Sequence, residues 1–183
     1  MKITGENIIP ASPAAVWAAL NDPEVLRQSI PGCESFERVG DNGYKATVAA
    51  KIGPIAARFT GDVTLSDMDP PNGYTISGQG SGGAAGAARG AAKVRLAPHA
   101  DGTKLTYDVD AAVTGKLAQI GSRLIESTAK MMAGQFFDRF SAVVAGDEQA
   151  PAPKKAGAAP IPAWAWIGAA IAVAGSVIYL LLT

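Results

Sequence analysis

The glycine-rich stretch "SGQGSGGAAGAARGAAKVRL", residues 77–96, contains the spacing G-x-G-x-x-G at Gly78, Gly80 and Gly83. In dinucleotide-binding folds this spacing turns the chain from a strand into a helix whose N-terminus meets the pyrophosphate. Here the residues after the glycines alternate at period two, with small and apolar residues on one face and Arg89 among the basic residues on the other. This alternation predicts a second strand. The motif is therefore interpreted as accidental, and no nucleotide site is predicted.

Other residues able to do acid–base chemistry or to hold a metal are few. The single histidine, His99, lies in the turn "PHADGT", where solvent exposure is expected. The single cysteine, Cys33, allows neither an internal disulfide nor a thiolate metal cluster, and it fits a reducing compartment. Asp62, Asp108 and Asp110 fall on outward positions of predicted strands. No catalytic residue and no metal site is predicted, and the protein is not expected to be an enzyme.

Charge and length narrow the function classes further. The chain has 183 residues, with 16 basic and 16 acidic side chains and no basic stripe. This balance argues against a nucleic-acid partner. The length fits one domain with an appendage. The opening "MKITGENIIP" lacks the apolar segment of a signal peptide, so no secretion is expected.

Composition divides the chain into three parts: a domain at 1–145, a Pro/Ala-rich tether at 146–163 and an apolar segment at 164–182. The apolar segment carries no charge and is long enough for a transmembrane helix. Trp164 and Trp166 at one end and Tyr179 near the other are placed like the aromatic belts of membrane spans. A membrane anchor is therefore predicted.

The orientation of this predicted anchor follows from its flanking charges. Lys154 and Lys155 precede the apolar segment, and only Thr183 comes after it. The positive-inside rule then places the domain in the cytoplasm. The expected localisation is a single-pass protein of the cell inner membrane, with its domain on the cytoplasmic side.

Periodicity within residues 1–145 predicts an α+β fold. Lys2–Ile9 reads as a strand, and Ser12 and Asp22 are placed to cap two short helices that begin at prolines. Six alternating segments come next, and then one long helical pattern from Thr114 to Ala145. We expect a helix-grip domain, in which a curved antiparallel sheet of about seven strands wraps around the long C-terminal helix. The predicted fold class also includes the C-terminal transmembrane helix.

The predicted inner face of this sheet is poor in side-chain volume. Its small residues are Ala46, Ala50, Gly61, Gly78, Gly80, Gly86, Ala88, Gly90 and Ala92. They either let the helix pack close to the sheet or leave a cavity between helix and sheet. A cavity lined by Ala, Val, Phe and Met would suit a hydrophobic small molecule. Periodicity alone leaves both explanations open.

Several stretches, in order along residues 1–145, resemble the family of the carbon monoxide dehydrogenase G subunit, within the START and polyketide-cyclase superfamily. They are "IPGCES", "KIGPIAARFTGDV", the glycine-rich stretch 77–96, "TKLTYDVDAAVTGKLAQIGSRLI" and "QFFDRF". The resemblance implies a helix-grip fold and an association with a molybdenum hydroxylase of the carbon monoxide dehydrogenase type. It also implies recruitment of that enzyme to the cytoplasmic membrane and binding of a quinone, either ubiquinone or menaquinone, without a covalent cofactor.

The residues expected to line the ligand cavity come from the inner strand positions and from the last helix. They are Phe59, Gly78, Gly80, Ala88, Gly90, Leu124, Thr128, Met131, Met132 and Phe136. Thr128 is the one polar side chain on the predicted inner stripe, and it could bond a quinone carbonyl. Each of these residues could equally serve packing alone. The alternatives are a membrane-docking adaptor without a ligand and, third, an enzyme with cyclase or hydrolase chemistry.

Overall fold

The computed structural model describes residues 1–149. The predicted transmembrane segment 164–182, with Trp164, Trp166 and Tyr179, lies outside the described residues, as does most of the predicted tether. The strands are β1 Lys2–Ile9, β2 Cys33–Val39, β3 Gly43–Ile52, β4 Ile55–Asp69, β5 Gly73–Ser81, β6 Ala87–His99 and β7 Gly102–Thr114. The helices are α1 Pro13–Leu20, α2 Pro23–Ser29, α3 Lys116–Gln119 and α4 Ser122–Gln149, and a 3-10 turn covers Gly83–Ala85.

The two short helices begin where their capping residues predict. The Ser12 side chain accepts a hydrogen bond from the Ala15 backbone N–H at 3.3 Å, and Pro13 opens α1. The Asp22 carboxylate accepts from the Glu24 N–H at 2.8 Å, just after Asn21 closes α1. Each cap satisfies a backbone donor that has no partner within its own helix.

All seven strands form one antiparallel sheet with the order β1-β7-β6-β5-β4-β3-β2. From β2 to β7, each strand pairs with the next one along the chain. β1 pairs with β7 and forms the edge of the sheet opposite β2. The predicted alternation is confirmed, because Tyr44, Leu65 and Leu105 are buried while their strand neighbours are more exposed. The predicted sheet of about seven strands is therefore confirmed as well.

The hydrophobic core lies where α1, α2 and the C-terminal half of α4 cover the inner face of the sheet. Phe140 of α4, Val16 of α1 and Ile9 of β1 are fully buried there. The largest inward strand side chains, including Tyr44 and Tyr74, pack in the same region. None of the small residues predicted for the inner face belongs to this cluster.

The predicted single helix from Thr114 to Ala145 is wrong at its start. β7 continues to Thr114, and α3 is separated from α4 by Gly121, which has a φ of +88°. Gly115, between β7 and α3, has a φ of +71°. Residues with a side chain rarely adopt these angles, so both glycines mark backbone turns and not helix interior. At the other end α4 includes residues 146–149, which the prediction placed in the tether.

The predicted fold class is corrected in one further respect, because the fold that the structure describes contains no transmembrane helix. Within residues 1–149, no helix is both long enough and apolar enough to cross a membrane. The long helix α4 has 28 residues, but Arg123, Lys130 and Asp138 interrupt its apolar sequence. Such a helix covers a sheet with one face and meets water with the other. The described fold is an α+β domain with a seven-stranded sheet and a long C-terminal helix.

Candidate functional site

The glycine motif does not form a phosphate-binding turn. Gly78 and Gly80 lie within β5, and Gly83 opens the short 3-10 turn that leads into β6. Gly78 pairs with Gly90 across the two strands, and Gly80 pairs with Ala88. Because no α-helix comes directly after the motif, there is no helix N-terminus for a pyrophosphate. The prediction that a strand and not a helix comes after these glycines is confirmed.

The polar residues considered for chemistry lie apart from one another and near solvent. Asp62, Asp108 and Asp110 are all exposed on the outer face of the sheet, as predicted. His99 is exposed in its turn, where its Nδ1 accepts a hydrogen bond from the Asp101 N–H at 3.1 Å. In the part of the chain that the structure describes, no group of three or more His, Cys, Asp or Glu side chains is arranged to hold a metal.

Cys33 does not have the surroundings of a reactive thiol. It is half-buried at the start of β2, and burial raises the pKa of its thiol. Its Sγ donates to the Ser35 carbonyl at 3.4 Å. Because the thiolate is the reactive form, a raised pKa makes the thiol less nucleophilic at neutral pH.

An apolar cavity of about 430 Å³ lies between the middle of the sheet, the α1–α2 pair and the middle of α4. This volume falls within the range of roughly 300–1,000 Å³ that is usual for small-molecule sites. No lining residue carries a charge. The lining residues are Leu20, Leu26, Ile30, Pro31, Phe36, Tyr44, Val63, Leu65, Tyr74, Ile76, Ala92, Val94, Leu105, Tyr107, Val109, Met132, Ala133, Phe136 and Phe137.

The helix side of this cavity is built from aromatic rings. Phe136 and Phe137 meet edge to face, with their ring centroids 5.1 Å apart, and Phe136 also stacks on Phe140 at 5.5 Å. Phe137 stacks on Tyr107 of β7 at 5.9 Å, which joins the helix to the sheet. Stacked and edge-to-face pairs hold one another in place. The cavity therefore has one wall of fixed aromatic surface.

The only polar side-chain atoms of the lining belong to three tyrosines. The Tyr44 hydroxyl accepts a hydrogen bond from Arg38 Nη2 at 3.0 Å and lies 3.5 Å from the Asn21 carbonyl oxygen. The Tyr107 ring and hydroxyl lie against Gly5 of β1, where a methyl group would collide with them. Tyr74 is buried against the edge of Trp17, with ring centroids 5.5 Å apart.

The structure brings Met132 and Phe136, of the predicted site residues, to this cavity. Thr128 is buried on the same face of α4, but its hydroxyl donates to the Leu124 carbonyl at 2.9 Å. Leu124 and Met131 are not on the cavity wall, because the helix turns them outward and leaves them 41% and 55% exposed. The prediction placed both residues on the inner face of the helix. The residue after each of them, Ile125 and Met132, lies on that face instead.

The other predicted residues lie on the sheet beyond the cavity wall. The Phe59 ring packs over Gly82 in the β5–β6 connection. Gly78, Gly80, Ala88 and Gly90 are half-buried or exposed and border shallow polar grooves of the outer face. Because these residues carry little or no side chain, their backbone borders the grooves directly. A ligand role for any of the predicted residues stays a prediction.

Sequence reasoning missed the contribution of the helix pair and of β2. Leu20, Leu26, Ile30 and Phe36 line the cavity, although they were not among the predicted site residues. Their signal was present in the apolar positions of the segment from Ala11 to Phe36. That signal indicates burial, but it does not say whether a buried residue meets packed protein or an empty space.

A sequence profile shows the family of the chain. The profile of the carbon monoxide dehydrogenase G subunit (CoxG) matches residues 5–145. The chain belongs to this family. The match starts within β1 and ends within α4, so it includes all seven strands of the sheet and every element of the cavity. No match was found among curated proteins.

Solved structures share the fold of this CoxG-family domain. A conserved protein from Geobacillus kaustophilus is 30% identical, with a TM-score of 0.76 over 80% of this chain and 97% of its own. A protein from Rhizobium leguminosarum is 17% identical, with a TM-score of 0.62 over 80% and 95% of the two chains. One from Chromobacterium violaceum is 18% identical, with a TM-score of 0.57 over 78% and 96%. At 17% and 18% identity, the similarity to the last two structures supports the fold and nothing further.

Proposed function

We propose that this domain binds a hydrophobic small molecule, a respiratory quinone, in the cavity between the sheet and α4. The observation that carries the proposal is a cavity of about 430 Å³ whose lining has no charged side chain and only three tyrosines among apolar residues. An empty apolar space costs the fold packing energy. A ligand with a flat ring and an alkyl tail would restore that packing against the Phe136–Phe137 wall.

The same lining supports a carrier and not an enzyme. General acid–base catalysis usually needs His, Asp, Glu or Lys within reach of the substrate, and none of these lines the cavity. Burial, with a smaller contribution from the nearby Tyr44 phenol, raises the pKa of Tyr74 well above its usual value, so this phenol stays neutral. The proposed role is to hold and present the molecule unchanged.

We also propose that the carrier serves a molybdenum hydroxylase of the carbon monoxide dehydrogenase type at the cytoplasmic side of the inner membrane. The support is the family name, which links the subunit to carbon monoxide dehydrogenase. Quinones with isoprenoid tails stay in the bilayer, whereas the hydroxylase that must reduce them is soluble. A domain with an apolar cavity could bring the two together, which explains why such an enzyme would need this subunit.

The test of ligand binding uses two alanines that are neighbours in β6. Ala92 lines the cavity, whereas Ala91 is exposed on the outer face of the sheet. We expect Ala92→Phe to weaken binding of decylubiquinone to the delipidated full-length protein at least tenfold, because the added ring occupies the cavity. The matched control Ala91→Phe should bind like wild type. Circular dichroism checks that both variants are folded.

Native extraction completes the test. Organic extracts of the detergent-purified protein should contain a quinone by mass spectrometry, and extracts of Ala92→Phe should not. Absence of any co-purifying lipid together with absence of binding on addition would refute the carrier function.

Activity with the enzyme separates carrying from docking alone. Carbon-monoxide-dependent reduction of decylubiquinone by a purified dehydrogenase should be faster with wild type and with Ala91→Phe, but not with Ala92→Phe. If Ala92→Phe stimulated the reaction as well as wild type, the protein would act by docking and the cavity would not matter. Membrane fractionation of the full-length chain, with and without the dehydrogenase, tests the proposed location.

A further inference from the structure

The hydroxyl of Tyr74, in the cavity wall, takes no part in the hydrogen bonds of the described fold. Tyr74 is only 5% exposed and lines the cavity, yet none of the hydrogen bonds formed within residues 1–149 involves its hydroxyl. Its hydroxyl oxygen is also not among the fully enclosed side-chain atoms that lack a partner. The oxygen therefore borders open space, although the side chain around it is buried.

The other two tyrosines of the lining are placed differently. The Tyr107 hydroxyl also forms no hydrogen bond within residues 1–149, but this side chain is less buried than Tyr74. Tyr44 is already engaged by Arg38, whose guanidinium donates to its hydroxyl at 3.0 Å and also lies over its ring. The hydroxyl of Tyr107 lies against the β1 backbone at Gly5, on the far side of a ring that stacks with Phe137. Of the three phenols, Tyr74 is the one that is both buried and without a hydrogen-bond partner within residues 1–149.

A largely buried hydroxyl without a protein partner is unfavourable, since burial restricts its hydrogen bonds to water. A phenylalanine would fill the same space and keep the contact with Trp17 at no such cost. The hydroxyl therefore fits a partner that arrives with the ligand. The hydroxyl also keeps the proton that it would donate, because burial raises the pKa of Tyr74 and the phenol stays neutral.

We propose that the Tyr74 hydroxyl donates a hydrogen bond to an acceptor oxygen of the bound molecule and so selects an apolar ligand with a carbonyl head over a plain hydrocarbon. This inference rests on the proposed ligand-binding function and adds what the cavity recognises. The tail and the ring substituents of the ligand would then contact the aliphatic and aromatic side chains of the lining. The carbonyl end would be fixed against β5, and the tail would extend along the apolar wall.

The experiment compares two probes of one shape, 2-decyl-1,4-naphthoquinone and 2-decylnaphthalene, with delipidated full-length protein. Wild type should bind the quinone about fivefold more tightly than the hydrocarbon, the difference that one net hydrogen bond usually makes. Tyr74→Phe should lose about fivefold in quinone affinity and stay within about twofold of wild type for the hydrocarbon. The control Ser77→Ala, which removes an exposed hydroxyl from the outer face of the same strand, should behave like wild type.

Infrared spectroscopy gives a second readout that does not depend on the variant folding. The carbonyl stretch of the quinone bound to wild type should lie lower than in an alkane solvent, and Tyr74→Phe should return it to the alkane value. Equal quinone affinity in wild type and Tyr74→Phe, or an unshifted carbonyl band in wild type, would overturn the inference while leaving the carrier function intact. If neither probe bound to wild type, both the inference and the proposed function would fail.

Discussion

Filling the cavity from the helix side should stabilise the ligand-free protein. Ala133 lies on α4, lines the cavity and packs against the edge of the core. Ala133→Leu adds three carbon atoms that point into the empty space. Each newly buried methylene contributes about 0.8 kcal/mol, which gives up to about 2.4 kcal/mol for complete burial.

Part of this gain is lost on ordering the new side chain. Fixing a buried leucine costs about 0.5–1 kcal/mol of rotamer entropy, so the expected net stabilisation is roughly 1.5 kcal/mol. For a domain of this size that corresponds to an increase in Tm of about 3–6 °C. The control is Ala142→Leu, the same change at an exposed position of the same helix. It should alter the stability by less than about 0.5 kcal/mol.

The assay is thermal and urea unfolding of delipidated full-length protein, followed by circular dichroism. Ala133→Leu should unfold at a higher temperature than wild type without ligand. Added decylubiquinone should raise the Tm of wild type but not that of Ala133→Leu, because the leucine occupies the ligand's space. A gain in stability at the cost of binding is the usual relation where a site is held open for function.

A destabilised Ala133→Leu protein would contradict the presence of an open cavity. If Ala133→Leu were less stable than Ala142→Leu by more than about 1 kcal/mol, the leucine would be straining packed atoms and not filling a space. The cavity would then be closed in solution, and the protein would have no preformed ligand site.

Two further predictions concern other parts of the domain. Gly61→Ala should destabilise the protein by about 1–3 kcal/mol in urea unfolding, because its Cβ would lie 2.6 Å from the Gln79 carbonyl oxygen. Gly80→Ala is the control and should be neutral or slightly stabilising, because its Cβ would lie 3.6 Å from the nearest atom. Equal effects of the two substitutions would contradict the close approach at Gly61. The hydrogen bonds from Arg27 lower the pKa of Glu24 to about 2, so whatever stability this exposed pair adds is present above the ordinary pKa of 4.5 and lost as the pH falls towards 2. Carboxylate NMR titration should find this low value in wild type and a higher one in Arg27→Gln, where only the hydrogen bond from Gln28 still lowers the pKa. No difference between the two proteins would contradict the pairing.

The strands and their inward residues could be predicted because a half-buried antiparallel sheet imposes a period of two on the sequence. Tyr44, Leu65, Tyr74 and Leu105 follow from this rule alone. The same rule shows that the residues after Gly83 form a strand, which excludes the dinucleotide site. The helix caps at Ser12 and Asp22 were predictable for a similar reason, since each needs only local chemistry.

The phase of α4 could not be read from the sequence, because apolar residues cover more than one face of the helix. Leu124 and Met131 continue one apolar stripe, whereas Ile125 and Phe137 belong to the stripe that is buried. Gly121 separates α3 from α4 with a backbone turn, so the apolar positions before it do not determine which face of α4 is buried. Which stripe faces inward is decided by the sheet and the helix pair, and these contacts are distant in sequence.

The position of the cavity could not be predicted either, and the reason lies in what the small residues do. They were expected to matter through the space that they leave or the close helix packing that they allow. At Gly61 and Gly90, however, a methyl group would collide with the backbone of the neighbouring strand, at 2.6 Å from the Gln79 oxygen and 2.5 Å from the Asp110 oxygen. These glycines therefore serve the close approach of the strands themselves.

The cavity itself lies beside full-sized side chains, where the α1–α2 pair, the middle of α4 and strands β2 to β7 meet. None of the glycines from Gly78 to Gly90 belongs to its lining. The residues that would contact a ligand directly are the aromatic and aliphatic ones next to Tyr74. Variation in the ligand among relatives should then follow changes in these side chains, whereas changes in the glycines should alter the stability of the sheet first.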